Sequence, residues 1–294
     1  MRLCYFKSAN FGDALNPYIF NTLLPGFFDG DLAIDFYGIG SIVGWPFPPE
    51  AQRKIIFSSG YAYGAKPKID SRYDVICVRG PLTARALGLA EELAVVDGAV
   101  LLKHWNFASP TIKHEYSFMP HWESERRFNW KWLCEHAGVN YISPTAPFFD
   151  VINNIVKSKT ILTEAMHGAI VADSLRVPWI PVTSYRGVST FKWDDWASSL
   201  RIKYEPIVIP PLYADTAFTR KLCTDKIGRS IPAVIYGLGL KVYEGIQSLT
   251  ILTKALKALE TAKSSRSYLS EDKLLNQKYG QLLEKLEAVK AKYR

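Results

Sequence analysis

The feature that most constrains how this chain can fold is an alternation. Short β-branched apolar runs are followed, again and again, by segments with helical spacing of their apolar residues. "RLCYF" reads as a strand and "DALNPYIFNTLL" as a helix. "KIIFSSG" and "YDVICVRG" read as buried strands, "GPLTARALGL" as a helix, and "LAVVDGAVLL" as a strand running into a turn. After a passage rich in His and Trp the pattern restarts with "HEYSFMP", "FNWKWLCEHAG", "NYISP", "PFFDVINNIVKS", "TILT", "HGAIVADSLRV" and "PWIPV". Such alternation builds parallel sheets from βαβ units. The chain is therefore read as α/β, with one Rossmann-like domain at 1–112 and another at 113–210. A third segment, 211–294, reads as mostly helical and basic. Ligands of such sheets bind in the crevice beyond the carboxyl ends of the strands.

Bulk numbers narrow the class. With 48% hydrophobic and 13% aromatic residues in 294, the chain can bury a large core, which excludes global disorder. Cys4, Cys77, Cys134 and Cys223 lie far apart and form no C-x-x-C pair, so they read as reduced, buried thiols. The five histidines are scattered, without the spacing of a metal site, and activity without a metal or other cofactor is expected. The opening "MRLCYFKSANFGD" lacks a signal-peptide pattern, and no run approaches the roughly 20 apolar residues of a membrane span. A cytoplasmic protein is expected, with peripheral attachment to the inner face of a membrane left open.

Charge is uneven. Of the net +8, the stretch from Lys254 to Arg294 holds +5, with ten Lys/Arg against five Asp/Glu. The near-neutral remainder argues against nucleic-acid binding. Within the tail, Leu275, Tyr279, Leu282, Leu286, Val289 and Tyr293 follow heptad spacing. Two readings of that seam stand side by side: a helix packed on its own body, or a contact with a second copy or an anionic membrane surface.

Chemistry concentrates at strand ends. "ANFGDALNP" places Asn10, Gly12, Asp13 and Asn16 at a turn into a helix, with Asp13 also a candidate N-cap. "YGIGSIVG" sets Ser41 among glycines whose backbone amides suit an anion. In "VRGPLTARALG", Arg79 directly follows an apolar strand and is expected to point into the crevice, where a carboxylate or phosphate would gain a bidentate partner; a structural ion pair is the alternative. "SFMPHWES" ends a strand at His121. In "ILTEAMHGAIVADSL", Glu164 and His167 stand where strand hands over to helix, a pairing that keeps an imidazole able to exchange protons; a buried structural histidine is the alternative. "YRGVSTFKWDDWASSL" supplies Arg186 and Lys192 as cations, and Asp194 or Asp195 as a helix cap.

Taken in order, N-x-G-D-x-L-N near the start, the G-S turn, "VRGPLTARALGL", the strand ending in Asp97, "PH" at 120–121 and "TEAMHGAIVADSLRVPWIPV" resemble the polysaccharide pyruvyl transferase family over residues 3–200. The closest likeness is to the succinoglycan-type, ketal-forming branch of exopolysaccharide synthesis. The resemblance implies two domains in an arrangement like that of GT-B glycosyltransferases. It also implies transfer of pyruvate from phosphoenolpyruvate to two hydroxyls of one sugar, free or lipid-linked, with release of phosphate. On that reading His167 is the general acid/base, oriented by Glu164, and Asp13 takes a proton from the attacking hydroxyl. Arg79, His121, Ser41, Arg186 and Lys192 hold the donor, and Asn10 and Asn16 meet the acceptor. Many members have Arg in S-E-R-x-H-G where Ala165 stands here, so another cation must replace it. The alternatives are a glycosyltransferase using a nucleotide sugar and a non-catalytic sugar-binding protein. Retaining enzymes of the former kind carry a second glutamate where Ala172 stands.

Overall fold

The computed structural model describes residues 1–107, 111–184, 187–210 and 250–293. β1 (Arg2–Cys4), β2 (Ile34–Tyr37), β3 (Arg53–Ser59) and β4 (Tyr73–Val78) pair in parallel in that order. A second parallel sheet takes β5 (His114–Met119), β6 (Asn140–Tyr141), β7 (Ser158–Thr163), β8 (Trp179–Thr183) and β9 (Ile207–Val208) in the order β6-β5-β7-β8-β9. The central strands are buried on both faces, which is why they read as continuous apolar runs.

The helices follow local signals. α1 (Phe11–Leu23) starts at the Asn10 cap, whose Oδ1 accepts from Gly12 N at 3.4 Å. Pro17 lies inside α1 and cannot donate to the Asp13 carbonyl, and Asn16 Nδ2 donates to that oxygen at 3.4 Å. α2 (Pro81–Leu87) opens with proline in its first turn and closes at Gly88, whose φ of 68° is the left-handed cap glycine adopts freely. α3 (Trp122–Glu125), α4 (Trp130–His136) and α5 (Phe148–Val156) follow. α6 (Met166–Ser174) is buried along nearly its whole length and has no polar face, as expected of a helix enclosed on all sides. It packs on β7 and β8, on α1, and on the 3-10 turns of Gly98–His104, so residues of both sheets share one core. α7 (Thr190–Ser199), α8 (residues 250–263) and α9 (Asp272–Tyr293) complete the described helices.

Three expectations change. Residues 93–102 are not a strand: Ala94 forms a single bridge with Val78, and Asp97 then caps the Gly98–His104 turns by accepting from Ala99 N at 2.9 Å. β2 was hidden in "LAIDFYGIG" because one aspartate breaks its apolar run; that Asp35 is buried and paired with Arg2 at 2.7 Å. Asp194 and Asp195 fall inside α7 rather than at its cap. Cys4, Cys77 and Cys134 are buried free thiols, and Cys223 lies outside the described residues.

The tail connects the sheets. Tyr268 bridges Trp179 beside β8, and Ser270 is held by Asp173 and Arg176. α9 then crosses to the first sheet, where Lys285 Nζ donates to Ile76 O at 3.0 Å and Lys292 Nζ to Asp74 at 2.7 Å. Its heptad seam is spent internally: Leu275, Leu282, Leu286 and Val289 are buried in the shared core. The seam therefore offers no apolar face to a second copy or a membrane. Among the described residues, no helix is long and apolar enough to cross a membrane. Leu282→Ala should cost about 2–5 kcal/mol, read from the midpoint of denaturant unfolding. Lys292→Ala, breaking a half-exposed ion pair, should cost under about 1 kcal/mol in the same measurement.

Candidate functional site

A cavity of about 420 Å³ opens where the carboxyl ends of both sheets meet. Every segment that lines it follows a strand: Phe6 to Asp13 after β1, Gly40 and Ser41 after β2, Tyr63 after β3, Met119 to Glu123 around the end of β5, Pro144 after β6, Ala165 to Gly168 after β7, Gly187 and Lys192 after β8. This is where a parallel α/β sheet leaves room for a ligand. Of the residues expected from sequence, it gathers Asn10, Asp13, Ser41, His121, His167 and Lys192.

His167 sits in the first turn of α6 with its ring against Gly12. A Cβ at residue 12 would lie 2.0 Å from Nδ1, so only glycine lets the ring approach the α1 backbone this closely. Nε2 is sealed from solvent, without a hydrogen-bond partner, 3.9 Å from Asp97 Oδ2. Nδ1 faces Gly12, which like His167 belongs to the cavity lining. Burial, then the charges of Lys192 and Arg79, hold the imidazole down to about 3, so it is neutral at pH 7. His121 is likewise lowered to about 3 by burial and Lys192.

Among the described residues that line the cavity, Lys192 is the one lysine or arginine. Burial and the neighbouring Arg79 lower it to about 8, against the pull of Asp13, Glu123 and Glu164. Asp13 stands in the first turn of α1, where it accepts from Ser8 and Asn10; burial raises its pKa. α6 begins at Ala165 without a side-chain cap, which leaves its positive end aimed at the lining formed by 165–168.

Arg79, Glu164 and Asn16 lie behind the wall. Arg79 is fully buried under Gly60; its Nε donates to Asp195 at 2.9 Å and one terminal nitrogen donates to Ser41 Oγ at 2.6 Å. Asp195 also accepts from Thr83 N at 2.8 Å and Thr83 Oγ1 at 2.6 Å, supplying the acceptor that Gly80 cannot offer the start of α2. Glu164 directly follows the central strand β7 and accepts from His121 N at 3.0 Å and Ser184 N at 2.7 Å, which joins the ends of the flanking strands β5 and β8. The carboxylate set against His167 Nε2 is that of Asp97, not the expected Glu164. Asn16 clamps Ile39 through both its backbone groups, at 3.0 and 2.8 Å, and does not line the cavity. Arg186 lies outside the described residues.

Sequence reading missed Glu123, Tyr63 and Ser8 in the lining. "HWES" directly after a strand-ending Pro-His was the available signal for Glu123; Ser8 and Tyr63 carried none. Among the described residues, no three His, Cys, Asp or Glu side chains cluster to hold a metal ion.

No protein-family model matches the chain. The succinoglycan biosynthesis protein ExoV of Rhizobium meliloti (strain 1021) is 39% identical to it over 215 residues, covering 71% of this chain and 68% of that one. The chain belongs to ExoV's family, the polysaccharide pyruvyl transferases. Within that family, this member builds its cavity with lysine from α7 and has alanine at 165.

Removing Asp195 should strand a buried guanidinium. Asp195→Ala is expected to cost about 3–5 kcal/mol in denaturant unfolding, whereas Asp194→Ala next to it should stay within about 1 kcal/mol. Equal losses at the two positions would show that the pair does not hold α7 in place.

Proposed function

We propose that the protein transfers the pyruvyl group of phosphoenolpyruvate to two hydroxyls of one sugar in a bacterial exopolysaccharide or its lipid-linked repeat unit. The product is a cyclic ketal, and phosphate is released. The observation that carries this reading is one cavity holding a half-buried lysine, a neutral histidine and the uncapped start of α6. The first and last suit the donor's carboxylate and phosphate; the second suits proton transfer. The relation to a succinoglycan biosynthesis protein supports a sugar acceptor. Strand ends of two parallel sheets around one cavity support a GT-B-like arrangement of Rossmann-like halves, with boundaries near 112 and 210.

The donor's negative charge opposes the fields of Lys192 and Arg79, which, after burial, keep the imidazole unprotonated. Donor binding therefore raises the proton affinity of His167. Nδ1–H is delivered to the terminal carbon of the enol, whose π electrons form the new C–H bond and leave an oxocarbenium-like centre. A sugar hydroxyl oxygen bonds to that centre and its proton passes to Asp13. The C–O bond to phosphate breaks, its electron pair leaving with the phosphate, which takes up the proton held by Asp13. The second hydroxyl closes the ring and its proton returns to His167. Ser41, fixed by Arg79, and Lys192 hold the leaving phosphate; His121 and Asn10 border the remaining space.

The deciding assay is phosphate release from phosphoenolpyruvate with a panel of free and lipid-linked oligosaccharides, with mass gain on the sugar as readout. Binding of a nucleotide sugar without phosphate release from any acceptor would favour glycosyl transfer instead. His167→Ala should lower turnover about 10²–10⁴-fold while the unfolding midpoint is kept.

Lys192 gives a pH prediction. Its pKa near 8 in the free protein means the cation is present below that pH and is lost above it. A bound anion favours the charged form, so phosphoenolpyruvate should bind with proton uptake at pH 8.5 and weaken as pH rises further. Calorimetry in buffers of different ionisation enthalpy measures this directly. Lys192→Gln should weaken binding by ~10–100-fold, the loss of one charge-assisted contact.

A further inference from the structure

We propose that Asp97 is the positioning residue for His167, holding its ring with Nε2–H toward the carboxylate and Nδ1 toward the cavity. The assignment rests on His167 being the proton-transfer group of this site.

Asp97 has one oxygen employed and one spare. Oδ1 accepts from Ala99 N at 2.9 Å and starts the Gly98–His104 turns. Oδ2 is buried without a hydrogen-bond partner and lies 3.9 Å from His167 Nε2, itself buried and without a partner. A buried acceptor and a buried nitrogen that can donate, each costly alone, thus face each other across a gap just too long for a hydrogen bond. Catalytic hydrogen bonds are often long in unliganded enzymes and tighten with substrate. The two groups ride on elements from opposite halves: Asp97 follows the first sheet, and His167 opens α6 after β7. The ring packs closely against Gly12, which leaves it little room to turn.

The charges around the pair agree. Burial raises the Asp97 carboxyl to about 6, with Arg79 opposing and Asp195 adding to the rise, so it is largely ionised at neutral pH. When an anionic donor offsets Lys192 and Arg79, the imidazolium that forms has its counter-ion in place at Nε2. The proton transferred to and from substrate stays on Nδ1; Asp97 remains ionised throughout.

Asp97→Asn separates this role from capping, because its Oδ1 still accepts from Ala99 N while the charge is gone. With phosphoenolpyruvate and acceptor, kcat should fall by about 10²-fold, the low end for a positioned acid–base group, with KM for the donor changed less than about threefold. Asp97→Glu should recover part of the loss. Unchanged kcat, or a loss confined to KM, would overturn the assignment. Two-bond ¹⁵N–¹H spectra of the wild-type protein without ligand test it independently of activity. At pH 7 the His167 ring should carry its proton on Nε2, and a proton on Nδ1 would overturn the assignment even if Asp97→Asn failed to fold. A wild-type protein inactive with every acceptor but showing the Nε2–H form would retire the pyruvyl-transfer reading and leave the pairing standing.

Discussion

The guanidinium of Arg79 and the carboxylate of Asp195 meet at 2.9 Å with neither exposed to water. Arg79 directly follows β4 in the first sheet, while Asp195 lies on α7, reached only after the second sheet has been built through β8. A buried pair is a poor source of net stability, but once formed it is expensive to break. Its consequence is positional. It fixes α7 against the start of α2, so that Lys192, one turn earlier on α7, is presented to the cavity. It also fixes Ser41, because one terminal nitrogen of Arg79 donates to that hydroxyl.

From this pair follows the electrostatic character of the site. A permanent positive charge one layer behind the wall lowers both Lys192 and His167, and partly offsets the burial of Asp97. The resting cavity therefore holds a lysine near its titration point and a neutral imidazole, both primed to gain protons when negative charge arrives. A histidine in contact with solvent would already be partly protonated near neutrality and would discriminate less between empty and loaded states. Glu164 contributes differently: just past the central strand it ties the neighbouring strand ends together, and so sets the floor on which His121 and α6 stand.

Much of the fold was legible. Periodicity placed α1, α2, α4, α5, α6 and most of both sheets, because apolar spacing records burial directly. The failures share a cause. β2 escaped notice because a buried aspartate, satisfied by Arg2 from the neighbouring strand, interrupts its apolar run. The stretch around Asp97 has β-branched residues but turns helical, since its side chain captures Ala99 N. At the site, His167, Lys192, Asp13 and Ser41 were nameable as polar residues at strand ends. The assignments to Arg79, Glu164 and Asn16 erred by one layer: side chains expected in the crevice instead bind the backbone and side chains that shape it.

Sequence alone determined the α/β class, the repetition of strand and helix, the clustering of chemistry at carboxyl ends of strands, and the family, because each is written in local spacing or short motifs. Only the tertiary structure decided that α9 folds back onto its own chain, that Arg79 serves Asp195, and that the carboxylate opposite His167 is seventy residues away in sequence. Those outcomes depend on how two sheets approach each other. Long-range pairing of buried charges is fixed by that geometry and leaves no periodic mark along the chain.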